Sequence, residues 1–161
     1  MKELYKGIAD ILLNDTDLKT MVRYTEKNSN IRRGYVVEGD WNRLVVFYLQ
    51  PEFPMQDFSP QIRIAPLIIR VYDRQEDLFC SDLAERIILL MDGADLGVDG
   101  KVFCYDCSYT GELIATSWND DLKTYEKVLR FEVRFRVEEI TGSSGYPKRR
   151  RKLHRDWVDN G

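Results

Sequence analysis

Between Leu129 and Val137 apolar and charged side chains alternate without a break. Leu129, Phe131, Val133, Phe135 and Val137 interleave with Arg130, Glu132, Arg134 and Arg136, and Glu138 follows. A period of two sorts the apolar set onto one face and the charged set onto the other. That pattern predicts a long strand of an antiparallel sheet with only one side buried. Near the start of the chain the period changes. Leu4, Ile8, Ile11 and Leu12 recur at helical spacing and predict a helix over Lys2 to Leu13. Asn14 and Asp15 supply a stop, and Asp15 is suited to cap a short second turn through Met21 and Val22.

The middle of the chain reads as two strands and a helix. Thr25 to Asn42 is polar, holds Gly34 and Gly39, and reads as loop with one short strand at Tyr35-Val36-Val37. Leu44 to Leu49 is a continuous apolar run, β-branched and aromatic, of strand length. Three prolines among Gln50 to Pro60 exclude a helix or a central strand there. Arg63 to Tyr72 predicts a second strand, in which Pro66 should force an edge position or a bulge. Asp73 to Glu76 has the form of a capping box. The helix it opens carries Phe79, Leu83, Ile87, Leu90 and Met91 on one face and ends at Gly93. Strands follow at about Val102 to Thr110 and Glu112 to Thr116, with Gly111 between them. The order α-β-β-α-β-β-β predicts an α+β fold, mainly antiparallel sheet with two main helices packed on one face.

Composition changes that picture mainly at the C-terminus. The 161 residues favour one domain, and 43% hydrophobic with 32% charged is ordinary for a globular protein. No stretch approaches the roughly 20 apolar residues of a membrane span. The N-terminus lacks an apolar signal region, so folding in a cytoplasm is expected. The net charge of −3 is unevenly divided. Residues 1–141 hold 18 basic and 25 acidic side chains, −7, whereas residues 142–161 hold six and two, +4. The break at Gly142-Ser143-Ser144-Gly145 divides the chain into a domain, 1–141, and an extended basic arm, 142–161.

Candidate chemistry is sparse. The one histidine, His154, lies in the arm, a poor place from which to preorganise a catalytic base. No phosphate-binding glycine loop, dinucleotide fingerprint or H-E-x-x-H motif occurs. Asp92 to Gly100 suits a turn-rich connection at least as well as a paired-acid site. A calcium loop counted from Asp92 meets Phe103 where its final Glu belongs. Cys104 and Cys107 form a C-x-x-C within a β-rich stretch, away from the helix N-terminus of a redox motif. Only Cys80 and His154 could complete a zinc site, so ordinary reduced thiols are expected. No enzyme, cofactor or metal site is predicted.

Several residues are better suited to touching other molecules. Phe53, Met55 and Phe58 lie between prolines, either as the loop's own small core or as a stiff docking loop. Trp118, placed in a turn beside Asn119-Asp120-Asp121, is either a core aromatic or an interface anchor. The run Lys148, Arg149, Arg150, Arg151 and Lys152 has three readings: a solvated arm, a phosphate contact, or a dock for an acidic protein surface. Trp157, just beyond it, is a candidate anchor for the arm.

Taken in order, several segments resemble the tail-terminator (tail-completion) proteins of long-tailed bacteriophages. They are the N-terminal helix with Asn14-Asp15-Thr16-Asp17-Leu18, and the strand Arg43-Leu44-Val45-Val46-Phe47-Tyr48. Leu67-Ile68-Ile69-Arg70-Val71-Tyr72-Asp73, the helix Ser81-Asp82-Leu83-Ala84-Glu85-Arg86-Ile87 and the strand Arg130 to Phe135 complete the set. The resemblance spans residues 1–141 and is one of element order and local character. It implies a non-enzymatic virion subunit of the tail or neck, assembled in the host cytoplasm into a homo-oligomeric ring, a hexamer in that family. Such a ring caps the tail tube protein, meets the head–tail connector protein, and in contractile tails can touch the sheath protein. Genomic DNA passes through the lumen without specific binding, and no membrane is involved. The basic arm departs from short members of that family and leaves its receiver open. Other readings are a different neck component, a head-completion or stopper protein, or a nucleic-acid-binding module built on the arm.

Overall fold

The computed structural model describes residues 2–34, 39–54, 62–97 and 102–137. Three helices, α1 (Lys2–Asn14), α2 (Thr16–Met21) and α3 (Asp77–Met91), accompany six strands. The strands are β1 (Ile31–Arg33), β2 (Arg43–Leu49), β3 (Phe53–Pro54), β4 (Arg63–Asp73), β5 (Val102–Asn119) and β6 (Thr124–Val137). They form one curled sheet in the order β1-β2-β4-β6-β5, with β3 on β4. Only β1 with β2 is parallel; the other pairs are antiparallel. The class is the expected α+β; α1 and α3 are the two main helices, and α2 is the short turn expected after Asp15.

The helices cover one face of the sheet. Leu4, Ile8 and Leu12 of α1, Leu18 of α2, and Cys80, Leu83, Ala84, Ile87 and Met91 of α3 are buried there. They pack on Val45, Phe47, Ala65, Leu67, Ile69, Leu129, Phe131, Val133 and Phe135 from the strands. The alternation in β6 therefore has the predicted phase. On α3 the buried stripe is displaced from the predicted one. Cys80 and Ala84 point inward, while Phe79 is half-buried beneath the Arg43 guanidinium, 3.4 Å from its ring centre.

Four local expectations are corrected. β4 is the central strand, and its pairing with β6 runs from Arg63 to Asp73 without a bulge. Pro66 is tolerated because its carbonyl, accepting from Gln50 N–H at 2.8 Å, faces the side where the β2 ladder has ended at Leu49. A residue's N–H points the same way as its C=O in a strand, so the missing donor would have faced only the carbonyl of Gln50, an exposed residue open to solvent. Secondly, the two strands predicted around Gly111 are one strand, β5: Gly111 (φ +128°) pairs with Arg130 and closes a bulge in which Thr110 is the extra residue. Thirdly, α3 begins at Asp77, later than a capping box at Asp73 requires. Asp73 Oδ1 accepts from Gln75 N–H and Glu76 N–H at 2.8 and 3.1 Å, whereas Glu76 makes no side-chain cap. Finally, the sheet is not buried on one side alone. Leu44, Val46 and Tyr72 are closed over by Trp41 on the far face, and Tyr48, Ile68 and Val128 form a second small cluster. The predicted strand at Tyr35-Val36-Val37 lies outside the described residues, and β1 stands at Ile31–Arg33 instead.

Asp15 performs the predicted capping and one further task. Its Oδ2 accepts from Leu18 N–H at 2.9 Å, and both carboxylate oxygens take the Arg86 fork, Nε at 2.9 Å and Nη2 at 2.5 Å. One side chain thus starts α2 and ties it to α3. The fork, with the Leu18 bond beside it, holds the Asp15 carboxyl below its ordinary value of 3.8 against the opposing effect of burial. A depressed folded value means that the stabilisation is full above the unfolded value and is lost as pH falls through the folded one. Asp15→Ala is expected to cost about 1 kcal/mol at neutral pH for the cap alone, with the lost fork adding to it. In thermal melts the gap between the two proteins should close as pH drops below about 4. A gap that stays constant into that range would show that the fork contributes nothing.

Candidate assembly surface

Among the described residues β5 is the long edge of the sheet, with β6 as its one strand partner. An edge strand presents unpaired backbone donors and acceptors, a ready template for another chain. Its regularity is limited by four register shifts along the β6 pairing. It is also where apolar side chains remain in solvent. Of the large exposed apolar residues described, Phe103, Leu113, Ile114 and Trp118 belong to β5, and Leu78 and Leu89 to α3.

Leu78 and Trp118 share one corner. Ser81 Oγ lies 3.4 Å from Thr116 Oγ1, which sets the first turn of α3 beside the outer half of β5. Leu78 is one turn before Ser81, and Trp118 is two residues beyond Thr116, so both lie toward the end of the sheet where α3 begins. Trp118 contacts the Tyr125 ring edge-on at 4.9 Å, yet 47% of it stays exposed; Leu78 is 73% exposed. The expectation that Trp118 lies in a turn is corrected, since it stands within β5 ahead of the turn at Asp120–Lys123. The turn itself is set by Asn119 Oδ1, which accepts from Leu122 N–H at 3.0 Å. Lys123 takes the left-handed conformation at φ +53°.

The surroundings of this corner are acidic. Glu76, Asp77 and Asp82 of the α3 region and Asp120 and Asp121 of the turn are all exposed. Lys123 Nζ meets Asp120 at 2.7 Å, but both groups are in solvent, where such a pair contributes little. The sheet face turned away from the helices is different, because its charges answer one another. Arg134 lies 3.0 Å from Asp106 and 3.5 Å from Glu132, and Arg130 3.7 Å from Glu132.

The remaining candidates lie elsewhere in the fold or outside the described residues. Phe53 belongs to β3, paired with Ile64, and Met55 and Phe58 lie outside the described residues. So do Lys148, Arg149, Arg150, Arg151, Lys152 and Trp157. Cys104 and Cys107 stand on β5, and Cys80 is inside α3 with its thiol toward the Val71 carbonyl at 3.8 Å. Burial pushes the Cys80 and Cys107 thiols up to about 12, and burial also raises that of Cys104. Thiols so protonated at neutral pH are poor nucleophiles and poor metal ligands. A cavity of about 250 Å³ is bordered by Arg23, Asn28, Asn30, Asp40, Trp41 and Arg43. Asn30 donates to the Val22 carbonyl at 2.7 Å, and Arg43 is engaged by Asp73 and the Met21 carbonyl, so these groups hold the loop rather than converge on a substrate. No described helix is long and apolar enough to cross a membrane.

Leu78 and Asp82 were not singled out by sequence. The signal was present: Leu78, Asp82, Glu85 and Leu89 recur at i, i+4, i+7 and i+11, opposite the buried stripe of α3.

The fold has a counterpart in a virus-like particle. It is similar to a chain in the virion of a native gene transfer agent (GTA) particle, with a TM-score of 0.61. The likeness covers 82% of this chain and 92% of that one at 15% sequence identity, so it speaks for a shared fold. No family model matches the sequence, and no curated protein matches it.

Proposed function

We propose that this chain is a structural subunit of a phage-like virion, and within the virion the ring-forming tail-terminator subunit. The observation that carries the reading is the shared fold with a chain of an assembled GTA virion, over nearly the whole length of that chain. Two features of the surface support it. The exposed apolar residues gather on an edge strand and the adjoining helix, where a head-to-tail neighbour can cover them, and closed rings are built from such heterologous contacts. The body of the chain is acidic, which suits a bore through which DNA must travel, because cations lining it would bind phosphates and retard passage.

In this role the chain makes and breaks no bonds. It closes the tail tube, presents its outer surface to the connector on the head side, and works through shape and charge. The partners are further copies of itself, the tube protein and the connector, with the sheath added in a contractile tail. The experiment is a mass measurement by light scattering with averaged particle images. Six copies of the 19.0 kDa chain around a six-fold axis are expected. A monomer at every concentration tried would sink the reading. A closed ring of different symmetry that binds the head side only would place the chain among the other neck components.

A further inference from the structure

Resting on the ring reading above, we propose that the acidic corner between α3 and β5 is the docking site for the basic C-terminal arm of a second copy of this chain. The corner offers two exposed apolar side chains, Leu78 and Trp118, amid Asp77, Asp82, Asp120 and Asp121. The arm offers the complementary chemistry in one short stretch. Five consecutive cations, Lys148 to Lys152, are followed by Leu153 and Trp157. Charge complementarity of this kind selects the partner and fixes its register, while desolvated aromatic and aliphatic anchors hold it.

Geometry favours a neighbour's arm over the chain's own. The chain leaves β6 toward the arm at Val137, whose partner on β5 is Val102, whereas the corner lies at the other end of the hairpin, where Thr124 pairs with Asn119. The 13 steps of β6 between those ends span roughly 43 Å at strand rise. Lys148 is 11 residues past Val137, about 40 Å of fully stretched chain. The start of the chain's own basic run would have to be drawn taut along the whole sheet to arrive. An arm from a second copy carries no such constraint, and in a closed ring every corner then receives one arm.

The test uses the full-length chain with a photo-reactive benzoylphenylalanine in place of exposed Gln75, next to the first turn of α3. Ordinary and ¹⁵N-labelled protein are mixed, illuminated and analysed by peptide mass spectrometry. Cross-links from position 75 to residues 146–158 that join the two isotopes are expected. Asp77→Lys with Asp82→Lys should lower their yield at least about ten-fold, as should Arg149→Glu with Arg151→Glu, and mixing the two variants should restore it. Circular dichroism on each variant confirms that it is folded. Cross-links confined to one isotope would assign the corner to the chain's own arm and overturn the proposal. So would cross-links that a short DNA duplex abolishes, since the arm would then be a nucleic-acid contact. A ring by light scattering without any arm cross-link refutes the docking site and leaves the ring reading intact; a monomer without cross-links refutes both.

Discussion

Phe131→Asp is expected to abolish cooperative unfolding altogether, while Arg130→Asp, its immediate neighbour, leaves the transition nearly where it was. Phe131 is fully buried under the helices, opposite Leu67 of β4 and 5.4 Å from the Tyr109 ring. Removing such a side chain costs about 3–5 kcal/mol through lost burial and the void it leaves. Placing an unpartnered carboxylate there adds several more. Together these approach or exceed the roughly 5–15 kcal/mol by which a domain is stable. Arg130 occupies the other face, one third exposed, with Glu132 at 3.7 Å as its ionic partner. Breaking that pair and setting two carboxylates side by side costs on the order of 1 kcal/mol. Far-UV and near-UV circular dichroism with thermal melts distinguish the two outcomes. Comparable losses in both variants would mean that the phase of β6 is wrong and with it the face on which the helices sit.

That phase was legible because a one-residue slip would turn Leu129, Phe131, Val133 and Phe135 away from the helices together. The same holds for α1, whose spacing admits one buried face, and for Asp15, whose position before Thr16-Asp17-Leu18 has few uses other than a cap. Where the sequence misled, the missing information was long-range. Whether Pro66 can be tolerated in a central strand depends on which way its absent N–H faces, and that is decided by where β2 ends, at Leu49. Gly111 looks like a turn and is a bulge, because the partner strand that carries β5 past it lies beyond the hairpin. The continuous run Leu44 to Leu49 did contain a clue: a strand without alternation is buried on both faces, and Trp41 covers the second.

The candidate assembly surface was legible only in part, for a related reason. Trp118 stood out as a large aromatic among acids, but its companion Leu78 gains meaning only when α3 and β5 meet at Ser81 and Thr116. A leucine exposed alone is unremarkable. Two exposed apolar side chains in one corner, ringed by carboxylates, form a patch with a chemical preference. The composition break before the arm pointed to a partner of opposite charge, and the fold supplies a candidate receiver on the same chain.

Gly7→Ala should destabilise the protein, although the same exchange in an ordinary helix stabilises it. Alanine is favoured over glycine by about 1 kcal/mol in a helix interior, and Gly7 sits in the middle of α1. Here, however, a Cβ would stand 2.1 Å from the Leu96 carbonyl oxygen and 2.9 Å from the carbonyl carbon. Those atoms are backbone and cannot rotate aside. Leu96 is itself fully buried, and α1 is fixed by Leu4, Ile8 and Leu12 in the same core, so neither side can retreat without opening that packing. Overpacking of this kind costs about 1–3 kcal/mol and occasionally more, and contact with rigid backbone belongs at the upper end. The steric term therefore outweighs propensity, and a net loss of about 2 kcal/mol or more is expected in chemical denaturation. Ala9→Gly, on the same helix, serves as the comparison and should cost only about 1 kcal/mol. A Gly7→Ala protein as stable as the parent, or more so, would show that α1 does not approach the Leu96 backbone this closely.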